Sequence, residues 1–341
     1  MNAAAPQADT TPGPAAVPLL AVRGLSVRFA TPRGALHALD DIDLDVPRGK
    51  TLAIVGESGS GKSVLSRAIL RILPRSAEIA PQTAIVFDGQ DLMHRDERAL
   101  REIRGRRIGM VFQDPMTSLN PVRKIGAQLA EGPRRHFRLG RQAARARALD
   151  LLRQVGIPSP ERRLDQYPHE LSGGMRQRVV IAMAIACEPE LLIADEPTTA
   201  LDVTVQAEIL DLLRRLREAH DMTLILITHD LGVAAEQADE IAVMYAGQVV
   251  ERAPTDALFT RPRMPYSAAL LRAIPSLADP PHSRLHAIAG RPPNVLGQIA
   301  GCRFAPRCGR AQPRCEAQAP TLERMQDGRE LRCWYPLEDR P

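Results

Sequence analysis

Gly56-Glu57-Ser58-Gly59-Ser60-Gly61-Lys62-Ser63 follows the apolar run Leu52-Ala53-Ile54-Val55 and precedes a helix-like stretch from Val64 to Leu73. Strand, Gly-rich loop and helix in that order match the pattern G-x-x-x-x-G-K-[ST]. Three glycines and small serines let such a loop wrap so that successive backbone N–H groups point inward, toward phosphate oxygens at the positive end of the following helix. Lys62 would then neutralise the β- and γ-phosphates of a nucleotide, and Ser63 would hold Mg²⁺. Taken alone, the stretch also reads as a Gly-rich turn that ends in Lys-Ser, so the rest of the chain has to decide.

Further along, Leu191-Leu192-Ile193-Ala194-Asp195-Glu196 is an apolar run closed by two carboxylates, the mark of a strand buried on both faces of a parallel sheet. Asp195 is placed to help hold Mg²⁺ through a water, and Glu196 to polarise the water that attacks a γ-phosphate. Ile108 to Phe112 and Thr223 to Thr228 are further apolar strands, closed by Gln113 and His229. The carboxyl ends of strands are where open α/β sheets place ligand-contacting residues. Gln113 there reaches Mg²⁺ or the attacking water without adding charge, and His229 can donate to a γ-phosphate.

Between Ile125 and Pro168 strand signals vanish, and Ala144, Ala148, Leu151, Leu152 and Val155 recur at helical spacing. This predicts a helical subdomain at about 120–175, inserted into the sheet domain. After it, Leu171-Ser172-Gly173-Gly174-Met175-Arg176-Gln177 leads into the apolar run Val179 to Cys187, which puts Ser172 and its glycines at a helix N-terminus, a second anion cradle. Two cradles and one lysine loop imply that the second serves nucleotide bound to another chain. Upstream, Leu25-Ser26-Val27-Arg28-Phe29, a turn at Thr31 to Gly34, and Ala35 to Val46 predict an antiparallel lead-in sheet. Phe29 reads equally as a ring laid on adenine or as a core residue of its strand.

The chain has 341 residues, 44% hydrophobic and 25% charged, which suits one large α/β domain and a smaller appendage. The net charge of +5 comes with arginines in three clusters, which read as solvated faces or as contacts to a membrane surface or membrane partner. Aromatics at 3% leave no stacking platform for single-stranded nucleic acid. The longest apolar run falls well short of the roughly 18 residues that span a bilayer. The Ala- and Pro-rich residues 1–18 lack the basic and apolar regions of a signal peptide, so a disordered tail and a cytosolic chain are expected.

Four of the five cysteines, Cys302, Cys308, Cys315 and Cys333, fall near the C-terminus with spacing C-x5-C-x6-C-x17-C. In a reducing compartment such a cluster points to metal before disulfides. The residues alone leave zinc, an iron–sulfur cluster and free thiols open. Cys187 reads as a small core residue.

Taken together, Leu20 to about Phe259 resembles the ATP-binding subunit of an ABC transporter. Gly56 to Ser63 is similar to the Walker A loop, Gln113 to the Q-loop, and Leu171 to Gln177 to the ABC signature. Asp195 corresponds to the Walker B aspartate, Glu196 to the catalytic glutamate, Leu201-Asp202 to the D-loop and His229 to the switch histidine, while Phe29 stands where a tyrosine often stacks on adenine. The resemblance implies a P-loop ABC ATPase over 19–260 with a head-to-tail partner, in which Ser172, Gly173, Gly174 and Gln177 contact the partner's ATP.

Gln113 to Val122, Arg261 to Ser267 with Leu270-Leu271 and Ile274-Pro275, and the cysteine-bearing residues 261–341 resemble more narrowly the oligopeptide/dipeptide importer branch. That likeness implies ATP-driven uptake of di- or oligopeptides, with nickel or another small solute, or less readily export, as alternatives. It also implies a [4Fe-4S] cluster on the four cysteines, with zinc as the alternative. The partners it implies are a second ATPase subunit, a paralogue before an identical copy, two transmembrane permeases and an extracytoplasmic solute-binding protein, placing the chain on the cytoplasmic face of the plasma membrane. Soluble ABC proteins that act on DNA or ribosomes carry coiled-coil insertions or two cassettes, and neither is visible in this sequence.

Overall fold

A computed structural model describes residues 17–199, 201–274, 288–293, 295–297 and 299–338. All but the last two residues of the expected N-terminal tail, and Pro275 of the importer-like segment, lie outside the described residues.

The chain opens with two long strands, β1 (Leu20–Thr31) and β2 (Gly34–Val46), paired antiparallel with Leu20 opposite Val46 and Thr31 opposite Gly34. They are longer than the alternation predicts because register shifts along β1 and a left-handed Asp41 absorb the break at Asp40-Asp41 without ending β2. Next comes β3 (Thr51–Val55), buried at every position, then the Gly-rich loop and helix α1 (Lys62–Ile69). The helix starts two residues before the expected Val64 because Gly61, at φ 103°, is its N-cap; it ends early, with Arg71 in the left-handed region. The short strands β4 (Ala77–Ile79), β5 (Ala84–Phe87) and β6 (Gln90–Asp91) complete the lead-in sheet, ordered β2-β1-β5-β6 with β4 also on β1.

Helix α2 (Glu97–Ile103), capped by Asp96, leads to β7 (Ile108–Val111). The strand stops one residue before the expected Phe112, which is 36% exposed. From there to β8 (Leu191–Asp195) the described chain is helical: α3 (Pro115–Ser118), α4 (Ile125–Leu129), α5 (Glu131–His136), α6 (Arg141–Gln154), α7 (Pro160–Arg163) and α8 (Gly173–Ala184). The apolar stripe of α6, read from its spacing, packs with Ile125, Leu164, Val179 and Ile181 in one cluster. Helix α9 (Val203–His220), β9 (Thr223–Ile227), α10 (Leu231–Gln237), β10 (Glu240–Tyr245) and β11 (Gln248–Pro254) follow.

The strands assemble in the order β11-β10-β3-β9-β8-β7, parallel from β10 to β7 and with β11 antiparallel at the other end. β3, β8 and β9 are uniformly buried, as apolar runs covered on both faces should be. One face carries the lead-in sheet and α1, where Leu25, Leu44, Ile54, Leu65 and Ile225 share a core.

The C-terminal segment has α11 (Thr255–Thr260), α12 (Pro265–Arg272), α13 (Pro313–Ala317) and the short β12 (Glu323–Arg324) and β13 (Glu330–Leu331). Its sequence is too poor in apolar residues for a core of its own, and its described residues build none. Instead β13 pairs with β11, and Tyr266, Phe304 and Leu331 join Val55, Val243 and Tyr245 in the core of the main sheet. Among the described residues no helix is long and apolar enough to cross a membrane.

Candidate nucleotide site

Register places the site. Ile54 pairs with Ile227, and Asp195 pairs with Ile227, so the loop after β3, the carboxylates after β8 and His229 after β9 emerge side by side. The loop itself is held at close quarters. A Cβ on Gly56 would lie 2.1 Å from the Met244 carbonyl oxygen, so only glycine lets the loop leave β3 against β10. Two turns onward the Ser60 carbonyl accepts from the Gly247 N–H at 2.8 Å, tying the loop to the turn between β10 and β11.

Lys62 is buried, and its Nζ donates to the carbonyls of Gly56 at 2.8 Å and Glu57 at 3.2 Å. Burial pushes its ammonium below the ordinary lysine range, opposed by the charges of Glu196 and Asp195. Ser63 Oγ donates to Asp195 Oδ1 at 3.0 Å and Ser66 Oγ to Oδ2 at 3.4 Å. Burial raises the Asp195 carboxyl above its usual range, and these hydroxyls and Arg67 oppose the rise. Serine hydroxyl and aspartate together form the hard-oxygen pair that suits Mg²⁺.

Glu196 closes β8 with its own backbone in the left-handed region, φ 46°, and its N–H donates to the Ile227 carbonyl at 2.9 Å. The kink turns its side chain to where Gln113 Nε2 donates to Oε2 at 3.0 Å and Thr199 Oγ1 donates to the same oxygen at 2.9 Å. His229 Nδ1 is 3.5 Å from that oxygen, and its ring is largely exposed. Ser58, Gly59, Gly61, Lys62, Ser63, Gln113 and Glu196 line one cleft together with Phe29, which is half-buried on β1 and also packs against the core of the lead-in sheet.

The second cradle does not belong to this cleft. Ser172 caps α8, accepting from Met175 N–H at 3.3 Å, and both Ser172 and Gly173 are exposed. Gly174 is tight against Val205, where a Cβ would meet Cγ1 at 2.8 Å. Gln177, one turn inside the helix, is buried in this chain, with Nε2 unpaired. Asp202 caps α9, accepting from Val205 N–H at 3.0 Å.

All four C-terminal cysteines line one small cavity together with Phe304 and Trp334. Burial raises the Cys302 thiol, and pushes Cys333 up to about 11. Yet among the described residues no three Cys, His, Asp or Glu side chains stand in a metal-binding arrangement, so the expected cluster or zinc ion has no assembled ligand set here. Cys187 is buried, just beyond the end of α8.

Several residues that shape the site are not visible in any motif. Thr199 and Ser66 back the two carboxylates. Arg307 grips the Glu57 carboxylate, with Nη1 and Nη2 donating at 2.8 and 2.9 Å, and Tyr266 Oη accepts from the Glu57 N–H at 3.1 Å. The tail's arginine-flanked cysteines were the only available signal for Arg307.

Comparison with known proteins agrees with this geometry. A family model for the ABC transporter matches residues 39–199, and one for the oligopeptide/dipeptide transporter C-terminal region matches 250–315. The chain is 47% identical over 323 residues to the oligopeptide transport ATP-binding protein OppD of Bacillus subtilis, covering 95% of this chain and 90% of that one. It is 50% identical over 321 residues to the dipeptide transport ATP-binding protein DppD of Escherichia coli, covering 94% and 98%. Among solved structures, a dimeric post-hydrolysis state of the ATP-binding cassette MJ0796 bound to ADP and Pi has a TM-score of 0.62 at 28% identity, over 69% of this chain and 98% of that one. The chain thus belongs to the ABC transporter ATP-binding subunits, in the family of oligopeptide and dipeptide transport ATP-binding proteins.

Proposed function

We propose that this chain hydrolyses ATP to drive import of di- or oligopeptides through two partner permeases. The observation that carries the reading is 47% and 50% identity, over nearly the full length, to two peptide-transport subunits, including the C-terminal region. Its partners are a second ATPase subunit, a paralogue before an identical copy, and an extracytoplasmic solute-binding protein that delivers the peptide. The chain sits peripherally on the cytoplasmic side of the membrane. Residues 19–260 form the ATP-binding domain, with the helices near 120–175 as its subdomain, and 261–341 form the extension.

In the working site Gly56 to Ser63 wraps the triphosphate and Lys62 leaves the loop carbonyls for the β/γ-phosphates. Ser63, Gln113 and Asp195, the last through a water, would hold Mg²⁺, which supplies charge neutralisation at the transferring phosphoryl group. Glu196, oriented by Gln113 and Thr199, takes the proton of the attacking water; His229 donates to the γ-phosphate. Phe29 lies against the adenine. Ser172, Gly173 and Gly174 present the α8 N-terminus to the partner's ATP, and Asp202 lies at the same junction. Gln177, one turn further along α8, belongs to the same signature contact.

The test is ATPase activity of the reconstituted transporter with and without peptide-loaded binding protein. Stimulation by peptides is expected; stimulation by nickel or another small solute alone would move the assignment to a neighbouring importer type. Replacing Lys62 with Ala is expected to weaken ATP binding about 10- to 100-fold, the loss of a charged hydrogen bond. Fluorescence titration with an ATP analogue measures it, and unchanged affinity would count against the loop's role.

For the C-terminal site we favour a [4Fe-4S] cluster over zinc on Cys302, Cys308, Cys315 and Cys333. Support comes from the all-sulfur donor set and from the cavity that the four thiols share. Anaerobically purified protein is expected to carry about four irons per chain with matching sulfide. Stoichiometric zinc would select the alternative, and absence of both would leave structural thiols.

A further inference from the structure

We propose that Arg307 is a positioning residue of the nucleotide site: anchored in the four-cysteine segment, it holds Glu57 and neutralises its charge so that the phosphate loop can accept a polyanion. The inference rests on the reading of Gly56 to Ser63 as the nucleotide loop.

Glu57 is an awkward residue in such a loop, because it adds a negative charge to a loop that has to hold phosphates, even though its side chain is turned to Arg307 and does not line the cleft. Two unit charges a few ångströms apart still interact appreciably where protein excludes water. Arg307 meets that charge with a two-pronged contact, 2.8 and 2.9 Å to the two carboxylate oxygens, and its side chain is only 4% exposed. The remaining guanidinium contacts fix its direction: Nη1 also donates to Tyr245 Oη at 3.2 Å, Nη2 to the Ile288 carbonyl at 3.3 Å and Nε to the Ala289 carbonyl at 2.9 Å. Glu57 is therefore held at its side chain by Arg307, at its N–H by Tyr266 and at its carbonyl by Lys62.

Arg307 in turn is carried by the segment between Cys302 and Cys308. Phe304 of that segment is edge-on to Tyr245 with centroids 5.3 Å apart and sits 5.2 Å from Tyr266. Arg303 donates to the Ala246 carbonyl and to Asp40, bracing the turn whose Gly247 N–H holds Ser60. One short stretch thus touches the loop's support at two points, through Glu57 and through Ser60.

The test is titration of the full-length chain with a fluorescent ATP analogue, alongside thermal unfolding. Arg307→Gln is expected to weaken binding about tenfold, since the carboxylate is left uncompensated and the loop displaced. Adding Glu57→Gln to it is expected to restore at least a threefold share, because the repelling charge is gone. Arg307→Lys, which keeps the charge and loses the fork, is expected to weaken binding about threefold with an unfolding midpoint close to wild type; it is the deciding variant if Arg307→Gln does not fold. Wild-type affinity in Arg307→Gln or Arg307→Lys, or a double variant as weak as Arg307→Gln, would overturn the proposal. Failure of the wild-type chain itself to bind the analogue would instead sink the nucleotide-loop reading.

Discussion

Glu196→Gln is expected to lower ATP turnover about 10²- to 10⁴-fold, the usual contribution of a positioned general base. The amide is nearly isosteric, and its oxygen can still accept from Gln113 and Thr199, so the kinked end of β8 keeps its shape. What is lost is the ability to take a proton. ATP should still bind and draw the partner subunit closed, leaving a trapped nucleotide-bound pair. Single-turnover hydrolysis measures the first effect and gel filtration with ATP the second. Turnover within tenfold of wild type would remove Glu196 from the role of base and point to a neighbour such as His229.

The second large effect concerns the loop's first residue. Gly56→Ala puts a methyl group where only 2.1 Å separates it from the Met244 carbonyl oxygen, and β3 and β10 cannot part to relieve it without breaking their pairing at Val55 and Val243. The expected cost is about 3 kcal/mol or more, with loss of nucleotide binding, since overpacking against backbone has no soft side chain to absorb it. Gly59→Ala is the matched control: it also has positive φ, but its Cβ would meet nothing within 4 Å. Its cost should stay near 1 kcal/mol, the penalty of a left-handed alanine. Urea unfolding of both variants distinguishes steric conflict from simple backbone strain; equal costs would place the site's tightness elsewhere.

Much of this arrangement was legible from residue order. The phosphate loop, the carboxylate-ended strand Leu191–Asp195, the strand before His229 and the helical interval after Ile108–Val111 all announce themselves through local pattern, because buried parallel strands need continuous apolar runs and helices need a 3.6-residue stripe. Local pattern does not carry side-chain reach. Gln177 lies in the signature-like stretch, and only the packing of α8 reveals that its side chain is buried. Thr199 lies in a turn and Arg307 ends a single 3-10 turn, both too short for periodicity, and their partners Glu196 and Glu57 are fixed by tertiary contact. The C-terminal segment was legible as cysteines; that its aromatic rings finish the main core was not, since Phe304 lies in a stretch without apolar periodicity and its place is set by tertiary contact with Tyr245 and Tyr266.

Strand order gives the site an uneven mechanical character. The phosphate loop leaves β3, which has β10 on one flank and β9 on the other, and the turn after β10 braces it again through Ser60. Gln113 leaves β7, the last strand of the sheet, whose outer side has no strand partner among the described residues and whose next stop is the helical interval. Gln113 reaches Glu196 across one neighbouring strand through a 3.0 Å hydrogen bond, and the phosphate loop lies three strands away. The two ends of the cleft are thus built unequally: the phosphate loop is clamped from both flanks and from the turn after β10, and the Gln113 end hangs on one strand neighbour and one hydrogen bond.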